Sequence, residues 1–218
     1  MVYNQTLLCN FINQYTILNK RFTDDPSIFS KKKWTTSPTK IDNQWVYDNY
    51  TNLVSKYNWN EDNTGIHIIP VCHGTDLAIG EKICETGFAA LSSVDAGWFG
   101  KGIYFSSYPE YCIPYFVSRI QPCIIVSWII PGNVYPVCEK HDGVNTLLGS
   151  AIKPGYNSHY IVTNHQGLCI NGDSNKDGDS KKLYNEIVVA QEAQIVPAYL
   201  IHINPNTVME LNSKWLKQ

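Results

Sequence analysis

No apolar run in this chain approaches the ~20 residues needed to cross a bilayer. Met1 to Asn10 also lacks the basic start and long apolar core of a secretory signal. Together these absences predict an intracellular protein, cytoplasmic or nuclear, with no membrane partner. Charge of one sign is scarce too: 17 Lys and Arg stand against 19 Asp and Glu, a net charge of −2. No basic face is advertised, so nucleic-acid binding through phosphates is not expected. Lys31-Lys32-Lys33 reads as a solvated loop. Cysteine is present seven times, but no Cys-x-x-Cys occurs, the count is odd and the spacings are irregular. A zinc site and a disulfide framework are therefore disfavoured, and Cys72, Cys123 and Cys169, inside apolar runs, read as buried free thiols. No internal repeat is visible.

The sequence does have an ample apolar complement, 44% of 218 residues, enough for a full single core. Leu7 to Leu18 reads as a helix, and residues 19–41, broken by Asp24-Asp25-Pro26 and Ser37-Pro38, as irregular. Asp42 to Tyr57 places Trp45, Val46, Tyr50, Leu53 and Val54 near one helical face, with Asp42 as N-cap. Residues 1–60 are expected to form a partly helical extension that packs on a main domain at 61–218. Within that domain Ile66–Cys72, Gly102–Phe105, Cys123–Ile130, Val134–Val137, His159–Thr163, Glu186–Gln191 and Ala198–Ile203 read as strands. Asp76 to Glu85 reads as a helix capped by Thr75 or Asp76 and stopped by Gly87. Pro109 opens a helical turn whose length Pro114 should limit. Many short strands and few long helices predict a mixed α+β fold.

Three strand-like segments offer a His, a Tyr and a Glu in order: Cys72-His73-Gly74-Thr75, Phe99-Gly100-Lys101-Gly102-Ile103-Tyr104-Phe105 and Tyr184-Asn185-Glu186. With Gly87-Phe88 and Gly155-Tyr156-Asn157-Ser158 between them, the set resembles the catalytic domain of the poly(ADP-ribose) polymerase family. That family belongs to the diphtheria-toxin-like ADP-ribosyltransferases with a His-Tyr-Glu signature. The resemblance covers roughly Ile66 to Ile203. It implies an ADP-ribosyltransferase fold: two packed, mostly antiparallel β-sheets that form an NAD-binding cleft, with short flanking helices. It also implies NAD+ as co-substrate, no metal, and a protein acceptor, the protein itself included, modified with single or multiple units.

The roles it implies have a physical basis. Cleaving the nicotinamide–ribose bond builds positive charge on the sugar, as in glycoside hydrolysis. A rigidly held carboxylate can orient the ribose and stabilise that cation. Glu186 is the expected carboxylate, taken as the first residue of its strand, and it would also polarise the acceptor hydroxyl. His73 would hydrogen-bond a ribose hydroxyl. Gly74 would bind the nicotinamide amide through its backbone, Thr75 would add a ribose contact, and Tyr104 would stack on the nicotinamide ring. The family carries a serine and a second stacking tyrosine farther on. A gapless count from Tyr104 puts these at Cys112 and Tyr115, with Tyr111 competing for the second role. A thiol is a weaker donor than a hydroxyl, so Cys112 departs from the family pattern. A packed thiol is favoured there over a nucleophile.

Asp173-Ser174-Asn175-Lys176-Asp177-Gly178 opens like a calcium-binding loop, but Tyr184 stands where the bidentate Glu belongs. Residues 164–183 read instead as an acceptor-recognition loop, and Ser92–Gly97 as part of a loop over the donor. Two other readings share the same site: an NAD glycohydrolase with water as acceptor, and a silent module that binds NAD or ADP-ribose.

Overall fold

The computed structural model describes residues 1–30, 33–57, 65–88, 97–138, 147–172 and 182–217. Two β-sheets form its centre. The first contains β1 (Ile69–Asp76), β3 (Pro122–Ile129) and β7 (Ile195–His202), in the order β1-β3-β7 and antiparallel throughout. The second runs β2 (Ile103–Phe105), β6 (Tyr184–Val189), β5 (Ser158–Thr163) and β4 (Val134–Pro136), antiparallel except for the β4–β5 pair. The expected α+β architecture of two mostly antiparallel sheets with flanking helices is what the chain forms, but two of those helices are long, at 20 and 15 residues.

Composition explains which strands are central. Cys123-Ile124-Ile125-Val126 lies in β3, between β1 and β7, and a strand covered on both faces needs a nearly continuous apolar run. All six residues of β5 and all six of β6 are likewise buried. The sheets share one core in which Ile69, Val71, Ile125 and Ile129 meet Ile103, Phe105, Ile187 and Val189.

Helices seal the edges. α1 (Gln5–Asp24) is capped by Asn4, whose side chain accepts from the Leu7 N–H, and it buries Leu7, Phe11 and Leu18 against Ile66, Ile130 and Val196. The helix runs six residues past Leu18, so part of the segment expected to be irregular is helical. A short α2 (Ser27–Ser30) and a 3₁₀ turn (Lys33–Thr36) occupy more of it. α3 (Lys40–Val54) places Val46, Tyr50 and Leu53 in the core shared by both sheets. Its N-cap is Thr39 rather than Asp42, which lies inside the first turn. The Thr39 hydroxyl donates to the Asn43 carboxamide at 2.8 Å, so it makes no cap bond. α4 (Leu77–Thr86) starts at Asp76, whose carboxylate accepts from the Ala78 N–H, and stops at Gly87 with φ +92°.

After β2 a 3₁₀ turn (Pro109–Cys112) leads into α5 (Ile113–Phe116). Pro114 opens this helix rather than ending the turn, because a first-turn residue has no intrahelical N–H bond to lose. α6 (Pro205–Trp215) follows β7 and was not expected, although Asn204 caps it and Pro205 starts it. No described helix is long and apolar enough to cross a membrane. All seven cysteines are unbridged by disulfides; Cys72, Cys112 and Cys123 are buried, Cys169 half-buried and Cys9 exposed.

Candidate active site

Among the described residues one β-bridge joins the backbones of the two sheets. The Cys72 N–H donates to the Ser106 carbonyl at 2.8 Å, and the Ser106 N–H returns a bond to Cys72 at 3.1 Å. This bridge ties the middle of β1 to the residue after β2. Around it lies a cleft of about 320 Å3 lined by His73 and Gly74 of β1, Tyr104 and Phe105 of β2, Tyr111, Cys112 and Tyr115 of the following turns, and Glu186 of β6. His73, Tyr104 and Glu186, 113 residues apart from first to last, share this one concavity.

His73 has a defined protonation. Its Nδ1 lies 2.9 Å from the Tyr104 carbonyl oxygen. A carbonyl only accepts, so Nδ1 carries the proton and Nε2 keeps a lone pair. Burial lowers the imidazole pKa, with the Tyr104 carbonyl partly opposing, so the ring is neutral near pH 7. Phe88 and Phe105 meet the ring at 5.3 and 5.9 Å and hold its plane.

Gly74 is a close-approach glycine. A Cβ there would stand 2.7 Å from the Cys112 carbonyl oxygen and 3.1 Å from both Cys112 Cβ and Phe116 Cδ1. Its missing side chain therefore admits the Pro109–Phe116 segment to the sheet. Thr75 is buried but does not line the cleft; its methyl lies 3.6 Å from the place of a Cβ on Gly80 in α4.

Tyr104 presents its ring to the cleft while its hydroxyl is held. It donates to the Gly100 carbonyl at 2.7 Å and accepts from the Phe99 N–H at 2.8 Å. The turn it grips depends on Gly97 (φ +62°) and Gly100 (φ +108°), conformations costly for other residues. His159 grips the same turn from below, with Nδ1–H donating to the Phe99 carbonyl at 2.7 Å and Nε2 accepting from the Lys153 N–H at 2.9 Å. Burial pushes the His159 pKa down to about 4, so it is a fixed neutral strut.

Glu186 is the third residue of β6, not the first, and is 7% exposed. The Tyr111 hydroxyl donates to its Oε1 at 2.6 Å. Burial pushes the carboxyl pKa up to about 7, and this bond partly opposes the rise. Tyr111 itself is held protonated by burial and by the neighbouring carboxylate, so it acts as a donor. The two candidates for a second stacking tyrosine thus have different settings. Tyr111 is buried with its hydroxyl committed to Glu186, whereas Tyr115 is 53% exposed at the rim. Cys112 is buried with Sγ 4.0 Å from the Tyr108 carbonyl, and burial raises its thiol pKa, which keeps it a packed thiol.

Asn185 was missed as a contributor. Its Oδ1 accepts from the Ser107 N–H at 2.9 Å and its Nδ2 donates to the Ser107 hydroxyl at 2.8 Å, locking the chain between Tyr104 and Tyr111 to β6. A polar residue beside the expected catalytic Glu was the available signal. Gly155-Tyr156-Asn157-Ser158 contributes away from the cleft: the Asn157 side chain accepts from the Asn133 N–H, and Ser158 donates to the Pro131 carbonyl. Residues 173–181, which hold the calcium-like sequence and nearly half of the acceptor-loop candidate, lie outside the described residues, as do 92–96. Of the acceptor-loop candidate, Asn164 makes a turn by accepting from the Gln166 and Leu168 N–H groups, and Lys182 pairs with Glu110. No group of three metal-ligating side chains occurs among the described residues.

With this geometry established, the chain matches the model of the poly(ADP-ribose) polymerase catalytic domain over residues 35–205. The chain belongs to the poly(ADP-ribose) polymerase catalytic-domain family. In this polymerase-family domain the match takes in α3 and both sheets and ends where α6 begins. No curated protein matches the chain.

Proposed function

We propose that the chain is an NAD-dependent ADP-ribosyltransferase that cleaves the nicotinamide–ribose bond and passes ADP-ribose to a protein acceptor, itself included. The observation that carries this reading is the buried Glu186 carboxylate sharing a cleft with a neutral His73 and the ring of Tyr104.

Each side chain then has a task. The Tyr104 ring stacks on the nicotinamide. Nε2 of His73 has a lone pair, which suits accepting a bond from a ribose hydroxyl. Glu186 accepts from the neighbouring ribose hydroxyl and faces the cation that develops as the C1′–N bond breaks and nicotinamide leaves with the electron pair. The acceptor oxygen forms the new bond to C1′ and gives its proton to Glu186, whose pKa near 7 suits general-base work at neutral pH. Gly74 offers its backbone to the nicotinamide amide, and Tyr115 covers the ring from the rim. Cys112 supplies packing where the family has a hydroxyl.

In this reading residues 61–218 carry the reaction and residues 1–60 are a packed extension. The burial of Leu7, Phe11 and Leu18 supports the extension. Mass spectrometry after incubation with NAD+ tests the proposal. Protein gains of ADP-ribose mass are expected, and Glu186→Gln should release nicotinamide ~10²–10³-fold more slowly. Equal release by the two proteins would sink the enzyme reading. Label from NAD+ that ends only in free ADP-ribose would make the protein a glycohydrolase instead.

A further inference from the structure

α6 lies beyond the family match, yet its last residue reaches the candidate active site. Trp215 is 5% exposed, and its ring meets Tyr184 at 5.2 Å and Tyr111 at 6.1 Å. Tyr111 in turn meets Tyr184 at 5.5 Å with a 31° tilt. Tyr184 and Glu186 are two apart on β6, so their side chains leave the same face. Tyr111 therefore spans both, with its ring on Tyr184 and its hydroxyl on Glu186 Oε1.

We propose that Tyr111 is a positioning residue for Glu186, and that Trp215 of the C-terminal helix acts through it. Trp215 and Tyr184 fix the plane of the Tyr111 ring. The ring fixes the hydroxyl, and the hydroxyl fixes one carboxylate oxygen, which leaves the other for the substrate. The inference rests on the reading that Glu186 meets the substrate, and it adds the C-terminal helix to the site. Among the described residues Tyr111 is the hydrogen-bond partner of Glu186.

The remaining titratable groups that line the cleft are Cys72, His73, Tyr104, Cys112 and Tyr115. His73 is neutral at pH 7. Burial raises the Cys72 thiol to about 11 and the Cys112 thiol higher still. Among the described residues that line the cleft, no charged group at neutral pH therefore competes with the Tyr111 hydroxyl for the carboxylate. A bond to the ionised carboxylate favours ionisation, so its loss must raise the Glu186 pKa.

The test follows the Glu186 carboxyl by carbon-13 NMR in the full chain, assigned by its disappearance in Glu186→Gln. Tyr111→Phe keeps the ring and should move the titration up by about one pH unit. Trp215→Leu should move it in the same direction by less, Trp215→Phe should restore the wild-type value, and adding Trp215→Leu to Tyr111→Phe should move it no further. An unmoved titration in Tyr111→Phe overturns the proposal, as does an additive double variant. The measurement needs no NAD+, so the two readings fail separately. Shifted titration in a protein without NAD+ turnover removes the proposed function alone; turnover with an unmoved titration removes Tyr111 alone.

Discussion

Glu186→Gln should stabilise the protein, and increasingly so as pH rises from about 4.5 to about 7. The wild-type carboxyl titrates near 7 in the fold against an ordinary value of 4.5, because burial opposes its charge. A folded state that holds a proton more tightly than the unfolded chain loses stability as pH rises between those two values. Below about 4.5 the carboxyl is neutral in both states and costs nothing. Above about 7 the full penalty applies, and at ~1.4 kcal/mol per pH unit it amounts to ~3 kcal/mol. Glutamine has the same shape, is never charged, and can still accept the Tyr111 hydrogen bond through Oε1. For a chain of this length ~3 kcal/mol corresponds to a rise in Tm of roughly 6–12 °C. The assay is thermal unfolding of both proteins at pH 4.5, 6 and 8. The gap between them should open across that range. A gap that is no larger at pH 8 than at pH 4.5 would refute the account of a buried, destabilised carboxylate.

Tyr104→Phe removes a donor to Gly100 and an acceptor for Phe99; its Tm should fall by a few degrees, at ~1–3 kcal/mol for the unpaired groups, and its KM for NAD+ should rise. Tyr115→Ala should raise the KM for NAD+ roughly tenfold with little change in Tm, because the ring sits half-exposed at the rim. Tyr111→Ala should chiefly lower Tm, by roughly 10 °C; if it raises KM more than Tyr115→Ala does, the second stacking tyrosine is Tyr111. Brief treatment with iodoacetamide at pH 7.5, read by peptide mass spectrometry, should label the exposed Cys9 and spare Cys112, whose thiol is buried and kept protonated; rapid labelling of Cys112 would revive a nucleophilic role for it.

Local signals carried much of the fold. Asp76 and Gly87 mark both ends of α4 because a cap and a positive-φ stop are written in single residues. The β-branched run at Cys123–Ile130 could only be a strand covered on both faces. Boundaries that depend on competition between neighbours were less legible: Asp42 was the expected cap, and the structure puts Thr39 at the helix start with its hydroxyl on Asn43. Pro114 carried a stop signal that its place in the first turn cancels. The cleft-lining His73, Tyr104 and Glu186 were legible as a pattern, but their partners were not. Nothing in the string ties Tyr111 to Glu186 across 75 residues, or Asn185 to Ser107 across 78. Thr75 shows the converse limit: its place in the motif predicts a sugar contact, while its methyl lies near Gly80 of α4 and does not line the cleft.

The demands on Gly74 and Cys112 are best understood together. The cleft exists because β1 meets the residue after β2 at Cys72–Ser106, and the 3₁₀ turn and α5 then fold back over β1. That return brings the Cys112 backbone so near Gly74 that even a methyl group would stand 2.7 Å from its carbonyl oxygen. The same return lowers Tyr111 onto Glu186 and sets Tyr115 at the rim. Glycine at 74 is therefore required by the distance between two pieces of backbone, before any ligand is considered. Cys112, packed against it, occupies a position where size matters more than hydrogen-bonding strength. Serine at 112 would fit the space but would bury a hydroxyl that needs a partner. The Cys112 sulfur stands 4.0 Å from the Tyr108 carbonyl, a reach that suits a thiol and is too long for a hydroxyl.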